Sequence, residues 1–261
     1  MKIPPSALWQ TDLPDDIDQQ LAELFTTSEG LPAPVRIFFR ADDIGRIDSN
    51  FIQMMELFTE YDMPLCPALV PTWLSGDSWQ QISALADKEN LFCWHQHGFS
   101  HVNHEQLGKK CEFGENRSTE AIRHDILTGR IKLEQFLSGL FLPVFTPPWN
   151  RCSATTMQIL QELGFSALSR STNVQPLPPA GLPDLMINID LHTRRETDPQ
   201  QGTNNLMAEC RAALQSGRMG FMLHHQHMNP TAFLFLEHLF QAIKASPDLA
   251  PCTFRELLQE S

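Results

Sequence analysis

The sequence predicts an α/β fold in which helices cover a mostly parallel sheet. Short apolar runs of strand type alternate with segments of helical periodicity about seven times, and the connections between them have ordinary lengths. Such alternation is typical of an open doubly wound sheet or of a (β/α) barrel. Neither GxGxxG nor GxxxxGKS/T follows the first strand, so the common nucleotide-binding versions lose their main support and a barrel is favoured.

The chain of 261 residues has a length that suits a single barrel domain. Neither an internal repeat nor a linker divides it, so we predict one domain over residues 1–261. Residues 1–34 are expected to form an N-terminal extension, whose helix at residues 15–28 packs outside the main fold. Prolines at the end of this extension separate the helix from the first strand.

Strands and helices follow one another from residue 35 onward. The first strand begins with residues 35–39 and ends at the pair Asp42 and Asp43, and a helix is expected after a cap at Asp48. The other strands are predicted at residues 65–70, 91–94, 142–145, 165–168, 185–191, 219–223 and 252–254. The other helices are predicted at residues 79–86, 118–138, 153–163, 204–214 and 232–245.

Composition excludes several classes of partner. The formal charge is −12 and the basic residues are scattered, which argues against nucleic acid or an anionic membrane. The N-terminal residues lack the apolar segment of a signal peptide, and no run is long enough to span a bilayer, so we expect a cytoplasmic protein. The six cysteines include no CxxC pair and are predicted to be reduced core thiols.

Four of the ten histidines fall within residues 95–104, at the end of the third predicted strand. The spacing of His97 and His101 lets two imidazoles reach one metal ion from a strand end and the turn after it. Such a pair is equally compatible with one core histidine and one surface histidine. Borderline metals such as zinc favour imidazole with carboxylate, and a catalytic site keeps one position open for water.

Other polar side chains also lie at the carboxyl ends of predicted strands, where an α/β barrel keeps its active site. Asp42 and Asp43 end the first strand, and His224 and His225 end the strand at residues 219–223. Because a strand alternates faces, Asp42 is expected to face the same way as Arg40, and Asp43 the opposite way. The two carboxylates can divide metal binding and proton transfer between them, although an Asp pair alone is more often a turn or a cap.

Four short motifs together resemble the polysaccharide deacetylases that carry a NodB homology domain. They are Ala41–Gly45 (ADDIG), His97–His101 (HGFSH), Phe145–Asn150 (FTPPWN) and Leu223–His224. The resemblance extends over residues 35–256. It implies a distorted (β/α)7 barrel, similar to carbohydrate esterases, that hydrolyses an N- or O-acyl group, such as acetyl, from a sugar.

The resemblance also implies roles for individual residues. Asp43, His97 and His101 correspond to the metal triad, and Asp42 to the catalytic base. His224 corresponds to the acid that protonates the leaving amine or alkoxide. The implied cofactor is one divalent metal ion, zinc in the first instance, with cobalt, manganese and iron as alternatives.

Further residues are expected beside the substrate or behind the ligands. The backbone N–H of Trp149 corresponds to an oxyanion donor, and its indole could stack on a sugar. Asn150, His95 and His225 are also candidates for this outer set, and His225 or His227 could replace His224 as the acid.

The remaining polar residues receive lesser roles. Asp190 could orient His224, as carboxylates often orient imidazoles. His104, His124, His192 and His238 are expected at surface or helix-packing positions.

The chain departs from the family pattern at two motifs. Ile44 separates the second aspartate from Gly45, and Thr146 occupies the place of an arginine that orients the base. Arg40 is the predicted substitute, because it should share a face with Asp42 two residues on. Arg151 is the other candidate.

Two other functions are compatible with these residues. His95-Gln96-His97 could be the HxH pair of an amidohydrolase acting on a small amide, although that pair normally ends the first barrel strand. A barrel that binds sugar or metal after losing catalysis is the second alternative. For an enzyme we expect a small or oligomeric acylated carbohydrate as substrate, for example in surface-polysaccharide biosynthesis.

Overall fold

The structure is a computed structural model that describes residues 4–26, 34–86 and 88–260, apart from the side chain of residue 89. The predicted proline break at residues 31–33 and the last two residues of the first predicted helix lie outside these ranges. No helix among the described residues is both long enough and apolar enough to cross a membrane.

Eight strands in the described ranges form one parallel sheet. They are β1 (Val35–Ile44), β2 (Cys66–Leu69), β3 (Trp94–His97), β4 (Phe141–Thr146), β5 (Ala167–Leu168), β6 (Ile189–Asp190), β7 (Arg218–Leu223) and β8 (Leu249–Pro251). Hydrogen-bonded neighbours follow the order β5-β4-β3-β2-β1-β7-β6, and β8 pairs with the first residues of β1. The long β1 therefore lies inside the sheet, between β2 and β7.

The sheet curves into a barrel through the segment that leads into β6. Isolated parallel bridges join Leu168 to Asp184 and Ser171 to Ile187, and β6 then pairs with β7. The segment of residues 184–190 thus acts as one interrupted strand between β5 and β7, which gives seven strands around the barrel. This arrangement confirms the predicted distorted (β/α)7 barrel.

Eight α-helices in the described part of the chain accompany the sheet. They are α1 (Ile17–Thr26), α2 (Ser49–Glu60), α3 (Gly76–Ala84), α4 (Thr119–Leu137), α5 (Ala154–Glu162), α6 (Pro199–Gln215), α7 (Pro230–Ala245) and α8 (Phe254–Gln259). The Asp48 side chain accepts a hydrogen bond from the Phe51 N–H at 2.8 Å, so the predicted cap of α2 is confirmed.

The N-terminal segment packs on α6 and α7 beside the ends of β6 and β7. Trp9 is buried, and its indole N–H donates to the carbonyl of Leu191 at 2.7 Å. The amide of Asn229, which caps α7, donates to the carbonyl of Trp9 at 2.7 Å. His238 on α7 pairs with Asp18 on α1 at 2.5 Å. These contacts hold the segment against the rim of the barrel.

Two predicted strand positions are wrong. The third strand begins at Trp94 rather than residue 91, because Glu89–Leu91 forms a 3-10 turn, so His95 and His97 lie within the strand. The last strand precedes residues 252–254, because Thr253 caps α8 in a capping box with Glu256. All six cysteines are free and buried, as predicted.

Candidate active site

The end of β1 brings both aspartates to the mouth of the barrel. The register of β1 with β2 shifts between Ala41 and Ile44, and Asp43 adopts a left-handed conformation with φ of 62°. Regular alternation would send Asp43 to the face opposite Asp42, but this irregularity turns it back toward the same opening. The prediction that the two carboxylates point apart is therefore wrong. The amide of Gln226 donates to the Asp43 carbonyl at 2.9 Å and supports the turn.

Two histidines converge on one carboxylate oxygen. Oδ1 of Asp43 lies 3.1 Å from Nε2 of His97 and 3.1 Å from Nε2 of His101. One ligand atom from each of the three residues lies within 4.8 Å of the others. Two donors at 2.0 Å from a tetrahedral ion stand about 3.3 Å apart, so the spacing suits a small divalent cation. These are the three residues that the sequence assigned to the metal.

Hydrogen bonding fixes which nitrogen of His97 faces the cluster. Nδ1 of His97 lies 3.0 Å from the carbonyl oxygen of Thr146, which can only accept, so Nδ1 carries the proton. In the neutral ring Nε2 then presents a lone pair to Asp43, and two acceptors in contact require a cation between them. Without a metal that cation is a second proton, and the Asp43 contact raises the pKa of His97 although burial alone would lower it. The donor set therefore fits a metal ion.

The turn between the two histidines needs unusual backbone conformations. Gly98 has φ of 55°, and a Cβ there would lie 2.5 Å from Pro148 Cγ. His101 also has positive φ, at 57°. The buried carboxylate of Glu112 accepts from the Ser100 N–H at 2.7 Å and from its hydroxyl at 2.9 Å. Glu112 therefore holds the turn that presents His101, a role that sequence reasoning missed because no motif contains it.

Two tryptophans flank His101. The centroid of the Trp149 ring lies 4.5 Å from the centroid of the His101 ring, and the centroid of the Trp73 ring lies 5.7 Å from it. Trp149 and Asn150 both have positive φ, at 56° and 60°. Within the described residues no backbone carbonyl accepts from the Trp149 N–H, so this donor is free at the mouth. Trp73 was not singled out from the sequence.

Arg40, on the inside of the barrel, forms an ion pair with the Asp42 carboxylate. Nε of Arg40 donates to Oδ1 of Asp42 at 2.7 Å and Nη2 donates to Oδ2 at 2.8 Å, a bidentate pair. Arg40 is fully buried, and Nη1 also donates to the carbonyl and hydroxyl of Ser169, each at 2.9 Å. Burial raises the pKa of Asp42, but Arg40, His97 and His224 together lower it further, so the pKa lies below its usual value. The predicted contact is present.

Asn150 and Thr146 complete the surroundings of this pair. Oδ1 of Asn150 accepts from Nη2 of Arg40 at 2.8 Å, so Asn150 links the arginine to the mouth. Thr146, at the place of the family arginine, is buried, and its hydroxyl contacts Nε2 of His95 at 2.9 Å. Arg151 points elsewhere and donates to the carbonyl of Lys110 at 3.0 Å.

His95 lies beneath the site rather than in it. Its ring is fully buried, meets Phe254 edge-on at 5.0 Å, and has a pKa lowered to about 3 by burial and by Arg40. It therefore supports Thr146 from within the barrel and is closed off from solvent. Because His95 is also outside the Asp43–His97–His101 cluster, the HxH arrangement of an amidohydrolase loses its support.

His224 is half-buried just beyond β7. It lies near enough to Asp42 and Asp43 to help lower the pKa of both carboxyls. The backbone N–H of His224 donates to Nδ1 of His192 at 3.1 Å. His192 is buried and packs against Trp9 at 6.0 Å between ring centroids, so it is a packing residue rather than a surface one, and burial holds its pKa well below the usual value. Asp190 does not orient His224, because its carboxylate accepts from the N–H groups of His192 and Thr193 instead.

The other two histidines after β7 face different neighbours. His225 is buried, packs edge-on against Phe51 at 5.5 Å and lies 3.9 Å from Asp48. Burial lowers its pKa to about 4. His227 is half-buried and meets the His224 ring edge-on at 5.8 Å. Of the three, His224 is the one that helps to lower the pKa of both aspartates, while His225 packs at the start of α2.

Comparison with known proteins shows which fold carries this site. No protein-family model matches the sequence, and no curated protein matches it. A Mycobacterium smegmatis protein classed as a polysaccharide deacetylase has a TM-score of 0.64 at 13% identity, with 88% of this chain and 92% of that chain covered. A CE4 family pseudoenzyme from Bacillus anthracis has a TM-score of 0.56 at 11% identity, with 87% and 66% covered.

A third solved structure of the same fold was determined with a metal. The family 4 acetyl xylan esterase from Clostridium thermocellum, in complex with a cobalt ion, has a TM-score of 0.52 at 13% identity, with 86% and 91% covered. The barrel of this chain is thus of the CE4 polysaccharide deacetylase type, as the four motifs predicted. At these identities the likeness defines the fold.

Proposed function

We propose that the protein is a metal-dependent hydrolase that removes an acyl group, acetyl in the first instance, from the nitrogen or oxygen of a sugar. One observation carries the proposal: Asp43, His97 and His101 converge beside the Arg40-paired Asp42 at the mouth of the barrel. The fold supports it, since solved structures with this barrel include an acetyl xylan esterase. The substrate would be a small or oligomeric acylated carbohydrate, such as an intermediate of surface-polysaccharide synthesis.

Asp43, His97 and His101 would hold the metal. Imidazole and carboxylate ligands suit zinc first, and cobalt, manganese or iron next. When bound, the ion would lower the pKa of a water molecule and polarise the acyl carbonyl. Around the ligands, the carbonyl of Thr146 keeps His97 in one tautomer, and Glu112 keeps the turn of His101 closed.

Asp42 would take the proton of the attacking water. Its lowered pKa keeps it ionised at neutral pH, and Arg40 binds one lone pair on each oxygen. Each carboxylate oxygen has a second lone pair, which can accept the proton. The buried guanidinium fixes the orientation of the base, the task that the family gives to an arginine at the position of Thr146.

The negative charge that develops on the acyl oxygen needs a donor. The backbone N–H of Trp149 would serve as that donor, because no backbone carbonyl of the described residues accepts from it and its residue lies beside the proposed ligand His101. His224, on the other side near both aspartates, would then give a proton to the leaving amine or alkoxide.

A screen of acylated sugars with metal-loaded protein tests the proposal. N-acetylated monosaccharides, nucleotide sugars and oligosaccharides are incubated with protein loaded in turn with zinc, cobalt, manganese or iron. Asp42→Asn should lower kcat by about 100-fold or more, because general-base catalysis contributes typically that factor. A variant with wild-type kcat would show that another group is the base.

A binding barrel without catalysis is the second candidate. One of the similar structures is a CE4 family pseudoenzyme, and Thr146 departs from the family pattern at the arginine. Protein that binds a stoichiometric metal ion through Asp43 and binds sugar, yet hydrolyses no acyl group in the screen, would favour this candidate.

A further inference from the structure

The two tryptophans beside His101 each carry a cation. The guanidinium carbon of Arg46 lies 4.8 Å from the ring centroid of Trp73, and Nζ of Lys110 lies 5.8 Å from that of Trp149. Both rings contact the proposed metal ligand His101. A continuous row of rings therefore crosses the mouth of the site and has a positive charge at each end.

Neither cation is neutralised by the protein. Over the described residues, Arg46 and Lys110 form no ion pair with a carboxylate, as is also true of other exposed arginines such as Arg211. They differ from those residues because each lies over a ring that contacts His101. The chain has a formal charge of −12, so carboxylates to pair with them are abundant. Two free cations on one rim of an acidic protein create a local positive potential.

The carboxylates that follow each cation by two residues in the sequence form hydrogen bonds to other groups. Asp48 caps α2 through the Phe51 N–H at 2.8 Å. Glu112 is buried and accepts from Ser100 at 2.7 Å. Neither of these carboxylates pairs with Arg46 or Lys110, so both cations can meet an anionic group from outside the chain.

We infer that the acylated sugar carries an anionic group, a phosphate ester or a carboxylate, which Arg46 and Lys110 recognise. This inference rests on the proposed function and names its substrate class. The indoles of Trp73 and Trp149 give apolar faces for the sugar ring, and the cations beside them pair with the anion. Arg46 offers two parallel N–H groups, which match two oxygens of a phosphate or carboxylate.

The first measurement compares anionic and neutral substrates on metal-loaded enzyme. N-acetylglucosamine 6-phosphate and N-acetylglucosamine 1-phosphate represent phosphate esters, N-acetylmuramic acid represents carboxylates, and N-acetylglucosamine is neutral. The anionic class that is recognised should have kcat/KM higher than the neutral sugar by about tenfold or more. Its advantage should shrink as ionic strength rises, because exposed charges are screened.

Neutral variants assign the effect to the two cations. Arg46→Gln and Lys110→Gln should each raise KM for the anionic sugar by about tenfold and leave N-acetylglucosamine unchanged. Lys132→Gln is the matched control, because Nζ of Lys132 also lies over a ring, 5.9 Å from the centroid of Phe136, in the last turns of α4. It should change neither substrate.

A binding measurement separates this inference from the proposed function. Glucosamine 6-phosphate and glucosamine carry no acyl group, and calorimetry gives their affinities without turnover. Tighter binding of the phosphate that is lost in Arg46→Gln supports an anion site even if the screen finds no hydrolysis, in which case only the proposed function fails. Muramic acid, the unacylated carboxylate, is measured in the same way. Equal affinities for glucosamine and both anionic sugars, or variants that weaken neutral and anionic sugars alike, overturn the anion site and leave deacetylation standing.

Discussion

At the scale of single residues, the pairing of Arg40 with Asp42 matters most. A buried arginine and a buried aspartate cost desolvation energy, which only good geometry offsets. Here the geometry is bidentate, and Ser169 and Asn150 receive the remaining guanidinium donors. Such a fully bonded charge in a barrel core is difficult to explain by stability alone, and it accounts for a site without the family arginine on β4.

Replacing Arg40 with lysine tests this role. Lysine keeps the charge but cannot form two parallel bonds, so the carboxylate of Asp42 loses its fixed orientation. We expect kcat to fall about 10- to 100-fold, while the protein retains its metal, because Arg40 does not contact Asp43, His97 or His101. Enzyme assays with metal analysis of the same sample measure both quantities.

The alanine variant of Arg40 would be harder to interpret than the lysine variant. Arg40→Ala removes the partner of a buried carboxylate and should lower the free energy of unfolding by about 3 kcal/mol or more, so the lysine variant is the better test. Wild-type turnover in Arg40→Lys, or loss of metal without loss of the fold, would show that Arg40 does not orient the base.

At the scale of elements, the turn after β3 determines whether His101 reaches the metal site. Gly98 and His101 both have positive φ, which is costly for a histidine. The carboxylate of Glu112 offsets this cost through its bonds to Ser100 and, at 3.3 Å, to the Phe99 N–H. The turn is thus held by a residue that lies further along the same connection between β3 and α4.

Loosening this turn should weaken metal binding. Glu112→Gln keeps the size of the side chain but replaces one acceptor oxygen with an amide, so at least one bond to the turn is lost. We expect zinc affinity to fall about 10-fold or more, as for residues that orient metal ligands. Glu105→Gln, in the same loop, is the control and should keep wild-type affinity. Competition with a chelating dye measures both, and equal affinities would exclude the clamp.

The elements also show which features of the site the sequence could predict. Motifs gave the identity of Asp42, Asp43, His97 and His101, because the residue types needed for the chemistry lie beside recognisable strand ends. The directions in which these side chains point were harder to predict. Strict alternation placed Asp43 on the wrong face, since a local register shift with a left-handed residue has no signal in single-sequence patterns.

Contacts between distant segments were the hardest to predict. Glu112 reaches Ser100 because the connection between β3 and α4 folds back on itself, and Ser169 reaches Arg40 through the closure of the barrel. No spacing in the sequence records such distances. The capping box of Thr253 and Glu256, by contrast, has a local signature and could have placed α8 correctly.

At the scale of the whole molecule, the barrel places its chemistry where distant segments meet. Asp43 comes from β1, and His97 and His101 come from β3 and the turn after it, while His224 follows β7. Asp43 lies far in sequence from His97 and His101, but its Oδ1 contacts both imidazoles. A ligand that binds there contacts both β1 and the β3 segment, so the unfolded chain has no equivalent site.

Metal binding should therefore raise the stability of the whole barrel. A ligand at 100 times its dissociation constant stabilises the folded state by about 2.7 kcal/mol, which for a domain of this size corresponds to a Tm rise of about 5–10 °C. Scanning calorimetry with zinc and with a chelator gives this difference without any substrate. Asp43→Asn should abolish most of the rise, because it removes the shared carboxylate between the two histidines. Asp48→Asn, which removes a nearby carboxylate but can still cap α2, should retain it. An identical rise in both variants would mean that the metal binds elsewhere on the molecule.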